Sequence, residues 1–208
     1  MSRNNASAIC ILVAAIWGGG FIATDAALAT FDPFTVLLIR FLGASLVCWL
    51  IVGIQKIRIT KAGVLKGALS GIFLYLAFAF QTFGLDMTNT GQNAFLTAVN
   101  VVMVPYIAWL IFKKRPQFMQ VFASLICLIG IGCLSLSKGQ FHFSFGDGLS
   151  LMCAFFFACH FISLEYSTKG QDVRLINAVQ TSVAALVSIP GALCLEAMPS
   201  HISSMAIF

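Results

Sequence analysis

Long apolar runs separated by short polar segments divide the chain along its whole length. A membrane-spanning helix needs about 20 mainly apolar residues, and this rule predicts seven spans. The runs show no period-two alternation, which argues against a closed β-barrel. The predicted fold is therefore an all-α, multi-pass helical bundle within a membrane. The seven predicted spans are approximately 6–28, 34–54, 64–86, 91–112, 118–137, 148–166 and 175–195.

The composition supports a membrane protein and excludes several other classes. Hydrophobic residues make up 60% of the 208 residues and charged residues only 9%, whereas soluble domains carry roughly 25% charged residues. The net charge of +5 does not indicate a nucleic-acid partner, because the positive residues lie in short loops between apolar spans. The seven cysteines form no metal-ligand pattern, so we expect neither a metal site nor a cofactor.

The positive residues also predict an orientation. Ten of the 12 fall on the side of the membrane that holds the N-terminus, which predicts that this side is cytoplasmic. Those ten are Arg3, Lys56, Arg58, Lys61, Lys66, Lys113, Lys114, Arg115, Lys169 and Arg174.

A weak internal repeat appears when the sequence is shifted by 140 residues. Phe21-Ile22 then falls on Phe161-Ile162, and Arg40 falls on Gln180. Five spans separate the two copies, and an odd number places the second copy upside down in the membrane. Inverted repeats are a common plan of transporters, which bind substrate near the midplane where the repeats meet.

The repeat divides the chain unequally. Residues 1–140 would form a first five-helix repeat, and residues 141–208 an incomplete second one with two helices and the start of a third. A complete second copy would continue by about 70 residues, since the repeat length is about 140. We therefore expect the sequence to be a fragment or a truncated gene product.

Three segments carry a resemblance to a known family. They are the W-G-G-G-F run at 17–21, the Asp32-Pro33 pair followed by Arg40-Phe41, and the segment TGQNAFLTAVNVVMVPYIAWLIFKKRP that begins at Thr90. Together they resemble the EamA branch of the drug/metabolite transporter superfamily. The resemblance implies ten helices in two inverted five-helix repeats, located in the bacterial inner membrane. It also implies transport of small metabolites, with many members exporting amino acids or related compounds.

The function predicted on this basis is a secondary transporter, more specifically an exporter, of a small polar metabolite by alternating access. Its partners would be a small-molecule substrate and the lipid bilayer, and the sequence leaves a homodimer open. Two alternatives are an inactive truncated chain and a membrane-embedded enzyme that uses His160 or Asp25. The enzyme is disfavoured because the sequence lacks clustered ionisable residues and the common catalytic motifs.

A polar stripe marks the fourth predicted span. Asn93, Thr97 and Asn100 recur on one helical face of an otherwise apolar helix. This face would either bind a polar substrate or hold the bundle together by hydrogen bonds between helices, and the sequence favours neither. Pro105 in the same span permits a kink, which would be either a gating hinge or a static bend.

Arg40 is a charge inside a span, so it needs a partner or a water-filled cavity. It could hold a substrate carboxylate, with Asn177 and Gln180 supplying the opposite side of the site. Alternatively Arg40 is structural and pairs with Asp25 or with backbone carbonyls. The second interpretation is slightly favoured. Because Gln180 replaces the arginine in the second copy, such a site would carry its charge on one side only.

Three further features of the spans have two interpretations each. His160 could relay protons for coupled transport, or it could be a neutral, hydrogen-bonded core residue. Trp17 could line the substrate cavity, although packing or interfacial anchoring is more usual for such a residue. Finally, the three glycines at 18–20 predict a close approach of another helix to the first span.

Overall fold

The computed structural model describes residues 3–113, 115–136 and 143–196. Within these ranges the chain forms eight α-helical segments and no β-strand. The segments are α1 Arg3–Leu28, α2 Pro33–Ile54, α3 Lys61–Asp86, α4 Thr90–Ala98, α5 Asn100–Phe112, α6 Phe118–Leu136, α7 Phe145–Thr168 and α8 Val173–Cys194.

The prediction of an all-α, multi-pass membrane protein is confirmed. Each predicted span coincides with a helix, and α4 and α5 together occupy the fourth span, Thr90–Phe112. Among the described residues, six spans are long and apolar enough to cross a membrane. The remaining predicted span corresponds to α6, a helix of 19 residues, some of whose side chains are not described. The expected start of an eighth span, in 197–208, lies outside the described residues.

Local sequence signals set the ends of these helices. Pro33 begins α2, where its fixed φ suits the first helical position and its missing N–H costs nothing. The side chain of Thr60 caps the N-terminus of α3 by accepting from the Gly63 N–H. Ser144 and Asp147 form a reciprocal capping box at the start of α7. These caps satisfy backbone donors that have no partner inside the helix.

Glycines on α3 let it pack closely on α8. Gly63, Gly67 and Gly71 recur every four residues and so share one face of the helix. A Cβ at Gly67 would lie 2.8 Å from the Cβ of Val179, and one at Gly71 would lie 2.8 Å from the Gln180 carbonyl oxygen. Close packing of this kind drives helix association in lipid.

The close approach predicted at the glycine run of α1 is absent. A Cβ built at Gly18, Gly19 or Gly20 would meet no atom of the described residues within 4 Å. That prediction was wrong because consecutive glycines point in different directions around a helix, whereas a spacing of four keeps them on one face. The sequence carries the productive spacing on α3 instead.

Contacts at both ends show that α2 and α8 run antiparallel. The backbone N–H of Phe34, at the start of α2, donates to Glu196, which follows α8. At the other end, Arg174 near the start of α8 donates to Gln55, which follows α2. Midway, Ser45 and Ser182 share a hydrogen bond of 2.7 Å. The two helices therefore lie side by side along their whole length.

The helices α3 and α7 are also antiparallel and joined by small polar residues. Ser70 lies within 3.0 Å of Ser163 and 2.8 Å of Ser167. Near the opposite end of α3, the hydroxyl of Thr88 donates to Asp147, just inside the start of α7, over 3.0 Å. The core of the bundle thus lies where α2 and α3 meet α7 and α8.

Candidate functional site

A cavity of about 250 Å³ opens between α1 and α2. Its wall is mostly apolar, and its polar side chains are Thr24 and Arg40. It is lined by Gly20, Ala23, Thr24, Ala27, Phe31, Val36, Ile39 and Arg40. A concave, largely apolar wall with a few polar groups is the usual form of a small-molecule site.

Arg40 has hydrogen-bonding and aromatic partners in the structure. Its Nη1 donates to the Thr24 hydroxyl over 2.9 Å, and this hydroxyl donates to the Gly20 carbonyl over 2.7 Å. The guanidinium carbon lies 4.8 Å from the centre of the Phe78 ring, a cation–π contact. The described residues contain no ion pair between Arg40 and Asp25, so that form of the structural interpretation is not supported.

An aromatic cluster connects Arg40 with α7. We use this term for Trp17, Phe41, Phe78, Phe157 and Phe161. Phe78 makes edge contacts with Phe41 at 5.5 Å and with Phe157 at 5.1 Å between ring centroids. Trp17 makes edge contacts with Phe157 at 5.8 Å and with Phe161 at 6.4 Å. Trp17 of α1 therefore contacts α7, while 40% of its surface stays exposed.

His160, Gln180 and Asn177 form a hydrogen-bonded chain between α7 and α8. The Gln180 amide nitrogen donates to Asn177 Oδ1 over 2.6 Å, which leaves its carbonyl oxygen facing His160 Nε2 at 3.0 Å. Because a carbonyl only accepts, this arrangement assigns a proton to Nε2. The other ring nitrogen, Nδ1, is buried and has no hydrogen-bond partner among the described residues.

The polar stripe of the fourth span faces α3 and α7. Asn93 Nδ2 donates to the Gln81 carbonyl over 3.1 Å and to the Ser150 hydroxyl over 2.8 Å. Thr97 lies 3.6 Å from the sulfur of Cys153, and the Asn100 amide donates to the carbonyl of Thr97 over 2.8 Å. These are contacts within the bundle, as the packing interpretation expects. Asn93 Oδ1, however, is buried without a described partner.

Comparison with known proteins supplies the family. Residues 5–136 match the model of the EamA-like transporter family, which is more than half of the chain. The chain belongs to the EamA-like transporter family. This agrees with the resemblance predicted from the sequence.

Two curated relatives of this EamA-like chain are named only as transporters. An uncharacterized transporter from Archaeoglobus fulgidus is 31% identical over 179 residues, which are 86% of this chain and 55% of the relative. An uncharacterized transporter in the sor 3′ region of Acidianus ambivalens is 27% identical over 119 residues, which are 57% of this chain and 47% of the relative. The chain thus spans about half the length of the curated relatives it matches. No solved structure matches it.

The predicted flexible point at Pro105 does not coincide with the interruption of the fourth span. The helical hydrogen bonding is irregular at Val99, between α4 and α5, where the backbone keeps right-handed helical angles, while Pro105 lies inside the continuous helix α5. Asn100 starts α5 and uses its amide on the carbonyl of Thr97, so it stabilises the interrupted turn. A role of Pro105 as a hinge stays a prediction.

Two features of this EamA-like bundle were not predicted from the sequence. The Gly63, Gly67 and Gly71 series could have been found from its spacing of four, which is a known signature of close helix packing. The contact of Glu196 with the start of α2 has no sequence signal, because about 160 residues separate the partners. Only the tertiary structure reveals it.

Proposed function

We propose that this EamA-like chain is part of a secondary transporter that exports a small polar metabolite bearing a carboxylate, such as an amino acid or a related compound. The proposal rests on the position of Arg40. It is a charged side chain inside a spanning helix, it borders the cavity between α1 and α2, and no described carboxylate pairs with it. An intramembrane charge without an ion-pair partner is a candidate for a substrate pathway.

A substrate carboxylate would supply the missing counter-charge. The guanidinium has five N–H donors in a fixed plane, and Thr24 accepts from only one of them. The remaining donors can hold a carboxylate by two parallel hydrogen bonds, as arginine does in many anion sites. Thr24 and the Phe78 ring fix the direction of the guanidinium, which reduces the entropy lost on binding.

The other proposed site residues would surround the remainder of the substrate. Trp17 offers an apolar wall at the aromatic cluster. Asn177 and Gln180 offer polar groups from the other half, and His160 Nδ1 could take up a coupling proton. The stripe of the fourth span comprises Asn93, Thr97 and Asn100. Within it, we propose that Asn93 Oδ1 accepts a hydrogen bond from the substrate, since the Asn93 amide nitrogen already donates to Gln81 and Ser150.

Two inverted halves support alternating access as the mechanism. The helices α1 and α7 end at Leu28 and Thr168, and α2 and α8 cover Pro33–Ile54 and Val173–Cys194. All of these bounds differ by 140 residues, which is the repeat length found in the sequence. Because α2 and α8 are antiparallel, the second copy is inverted relative to the first. We accordingly propose that residues 1–140 belong to one repeat and residues 141–208 to the second.

The proposed setting is the plasma membrane, the inner membrane in a bacterium, with the N-terminus in the cytoplasm. The positive residues support this orientation, because they concentrate at one end of the helices. The opposite end carries Asp32, Asp86, Asp147 and Glu196.

Transport into vesicles would test the proposal. The protein encoded by the full gene would be reconstituted into lipid vesicles. The vesicles would be loaded with a panel of labelled amino acids and other small carboxylates. We expect exchange of at least one carboxylate, and a loss of about 30-fold or more in Arg40→Gln, since removing one partner of a buried charge pair costs about 2–5 kcal/mol. Arg58→Gln is the matched control, because Arg58 is an exposed loop residue.

Two results would count against the proposal. If no carboxylate exchanges under any gradient, the substrate class is wrong. If Arg40→Gln exchanges the same carboxylate as well as Arg58→Gln does, then Arg40 does not hold the substrate.

A further inference from the structure

The carboxylate of Glu196 binds the N-terminus of α2 from the opposite half of the molecule. Oε1 accepts from the backbone N–H of Phe34 over 2.7 Å, and Oε2 accepts from the backbone N–H of Thr35 over 2.8 Å. Oε2 also lies 3.0 Å from the Thr35 hydroxyl, which donates to it. A carboxylate at this position is favoured both by charge-assisted hydrogen bonds and by the helix dipole.

Among the described residues, α2 has no other side-chain cap at this end. Asp32, its N-cap residue, makes no side-chain capping bond in the described chain, and Pro33 has no N–H to be capped. The first two available donors are therefore the N–H groups of residues 34 and 35, and Glu196 takes both. In the other half the equivalent residue, Asp172, caps its own helix by accepting from the Arg174 N–H.

An apolar contact closes the same end. A Cβ at Gly191 would lie 2.5 Å from the ring of Phe34, so the ring fits against α8 only because residue 191 is glycine. Phe34 also makes an edge contact with Phe83 of α3, with 4.9 Å between ring centroids. The start of α2 is thus held to the end of α8 by the Glu196 carboxylate and by the packing of the Phe34 ring against Gly191. We call the carboxylate contact the Glu196 clasp.

A different clasp lies at the other end of the α2–α8 pair. Arg174 donates to Gln55 and also pairs with Asp172 at 2.6 Å. Hydrogen bonds from Arg174 lower the pKa of the Asp172 carboxyl to about 2, so this pair stays charged at physiological pH. Each end of the α2–α8 interface therefore has its own polar contact. At one end a carboxylate accepts from backbone N–H groups, and at the other an arginine donates to a side-chain amide.

We propose that Glu196 is the gate residue for the end of the pathway at which α2 begins. Alternating access requires α2 and α8 to part at one end while they stay together at the other, and this inference rests on that proposed mechanism. When this end opens, the carboxylate leaves the N–H groups of residues 34 and 35 for water. The clasp of Arg174 and Gln55 keeps the opposite end closed during this step.

Cysteine accessibility can test the gate without any substrate. Val36 and Ile176 are buried residues at equivalent positions of α2 and α8, so each reports on one end of the interface. In a background without natural cysteines, Val36→Cys and Ile176→Cys would be labelled with a polar maleimide in detergent micelles. Each would be compared with and without Glu196→Gln, and Glu165→Gln, at an exposed helix-surface ion pair, is the matched control.

We expect Glu196→Gln to raise the labelling rate at Val36→Cys by about tenfold or more, because charge-assisted bonds to the helix N-terminus are lost. The rate at Ile176→Cys should stay the same or fall, since opening one end keeps the other closed. Unchanged labelling at Val36→Cys would overturn the proposal. So would an equal rise at both positions, which would indicate a general loosening of the fold.

The vesicle assay separates this inference from the proposed function. If labelling responds as expected but no carboxylate is transported, the gate stands and the substrate proposal fails. If transport occurs and Arg40→Gln abolishes it, but Glu196→Gln alters neither labelling nor transport, the gate proposal fails alone.

Discussion

Arg40 and Gln180 occupy the same position in two antiparallel helices, each seven residues after the helix begins. At about 1.5 Å per residue, each lies roughly 10 Å from the start of its helix, and the two starts are at opposite ends of the bundle. Each side chain also contacts the preceding long helix of its proposed repeat, Arg40 through Thr24 and Gln180 through His160. The two proposed repeats therefore present different chemistry, a cation and a neutral amide, at equivalent depths.

The glycine face of α3 should be intolerant of even one added methyl group. Gly67→Ala would bring a Cβ to 2.8 Å from Val179, and overpacking of this kind costs about 1–3 kcal/mol. Gly19→Ala meets no described atom within 4 Å and should be neutral or stabilising, because alanine favours a helix by about 1 kcal/mol.

Thermal unfolding of the two glycine variants in detergent would measure the difference. A lower midpoint for Gly67→Ala than for Gly19→Ala is the expected order. Equal midpoints would mean that α3 and α8 separate easily and that the close packing contributes little.

Asn93 should contribute to stability as well as to any substrate contact. Asn93→Ala removes two hydrogen bonds and leaves the Ser150 hydroxyl and the Gln81 carbonyl short of a donor. We expect a loss of about 1–2 kcal/mol, since side-chain hydrogen bonds between helices in membranes are individually modest. Gln92→Ala, next to it on the same helix but bonded at the surface, is the control.

The same pair of variants separates packing from substrate binding. If Asn93→Ala lowers the unfolding midpoint but leaves the substrate Km unchanged, Asn93 serves packing alone. A raised Km at normal protein level would support the proposed contact through Asn93 Oδ1. Stability equal to that of Gln92→Ala would contradict the predicted packing role.

Proton coupling through His160 predicts a loss of pH dependence in a variant. His160→Gln keeps an amide donor near Gln180 but cannot take up a proton at the position of Nδ1. Transport by the parent should vary with pH, and transport by the variant should not. An unchanged pH profile in His160→Gln would remove His160 from the coupling mechanism.

The sequence predicted the helices well because the period and length of apolar runs depend only on local order. The ends of α2 and α7 were within about three residues of the prediction. The rotation of each helix was harder to predict. The polar face of Asn93, Thr97 and Asn100 was identified, but the sequence could not say whether its neighbour was a cavity or α7.

The candidate site was predicted only in part, for a related physical reason. A charge such as Arg40 is conspicuous in an apolar span, so its importance could be inferred from sequence. Its partners could not, because Thr24 and Phe78 are common residues whose proximity depends on how the helices pack. The contact of Glu196 with the start of α2 could not be predicted from the sequence for the same reason.

Arg40 is proposed to hold the carboxylate of an exported metabolite. The most direct test compares metabolites outside cells that express the full gene, its Arg40→Gln variant, its Arg58→Gln variant, or no copy. We expect a carboxylate that accumulates outside only with the parent and Arg58→Gln, at equal protein levels. The same accumulation with Arg40→Gln as with the parent would contradict it.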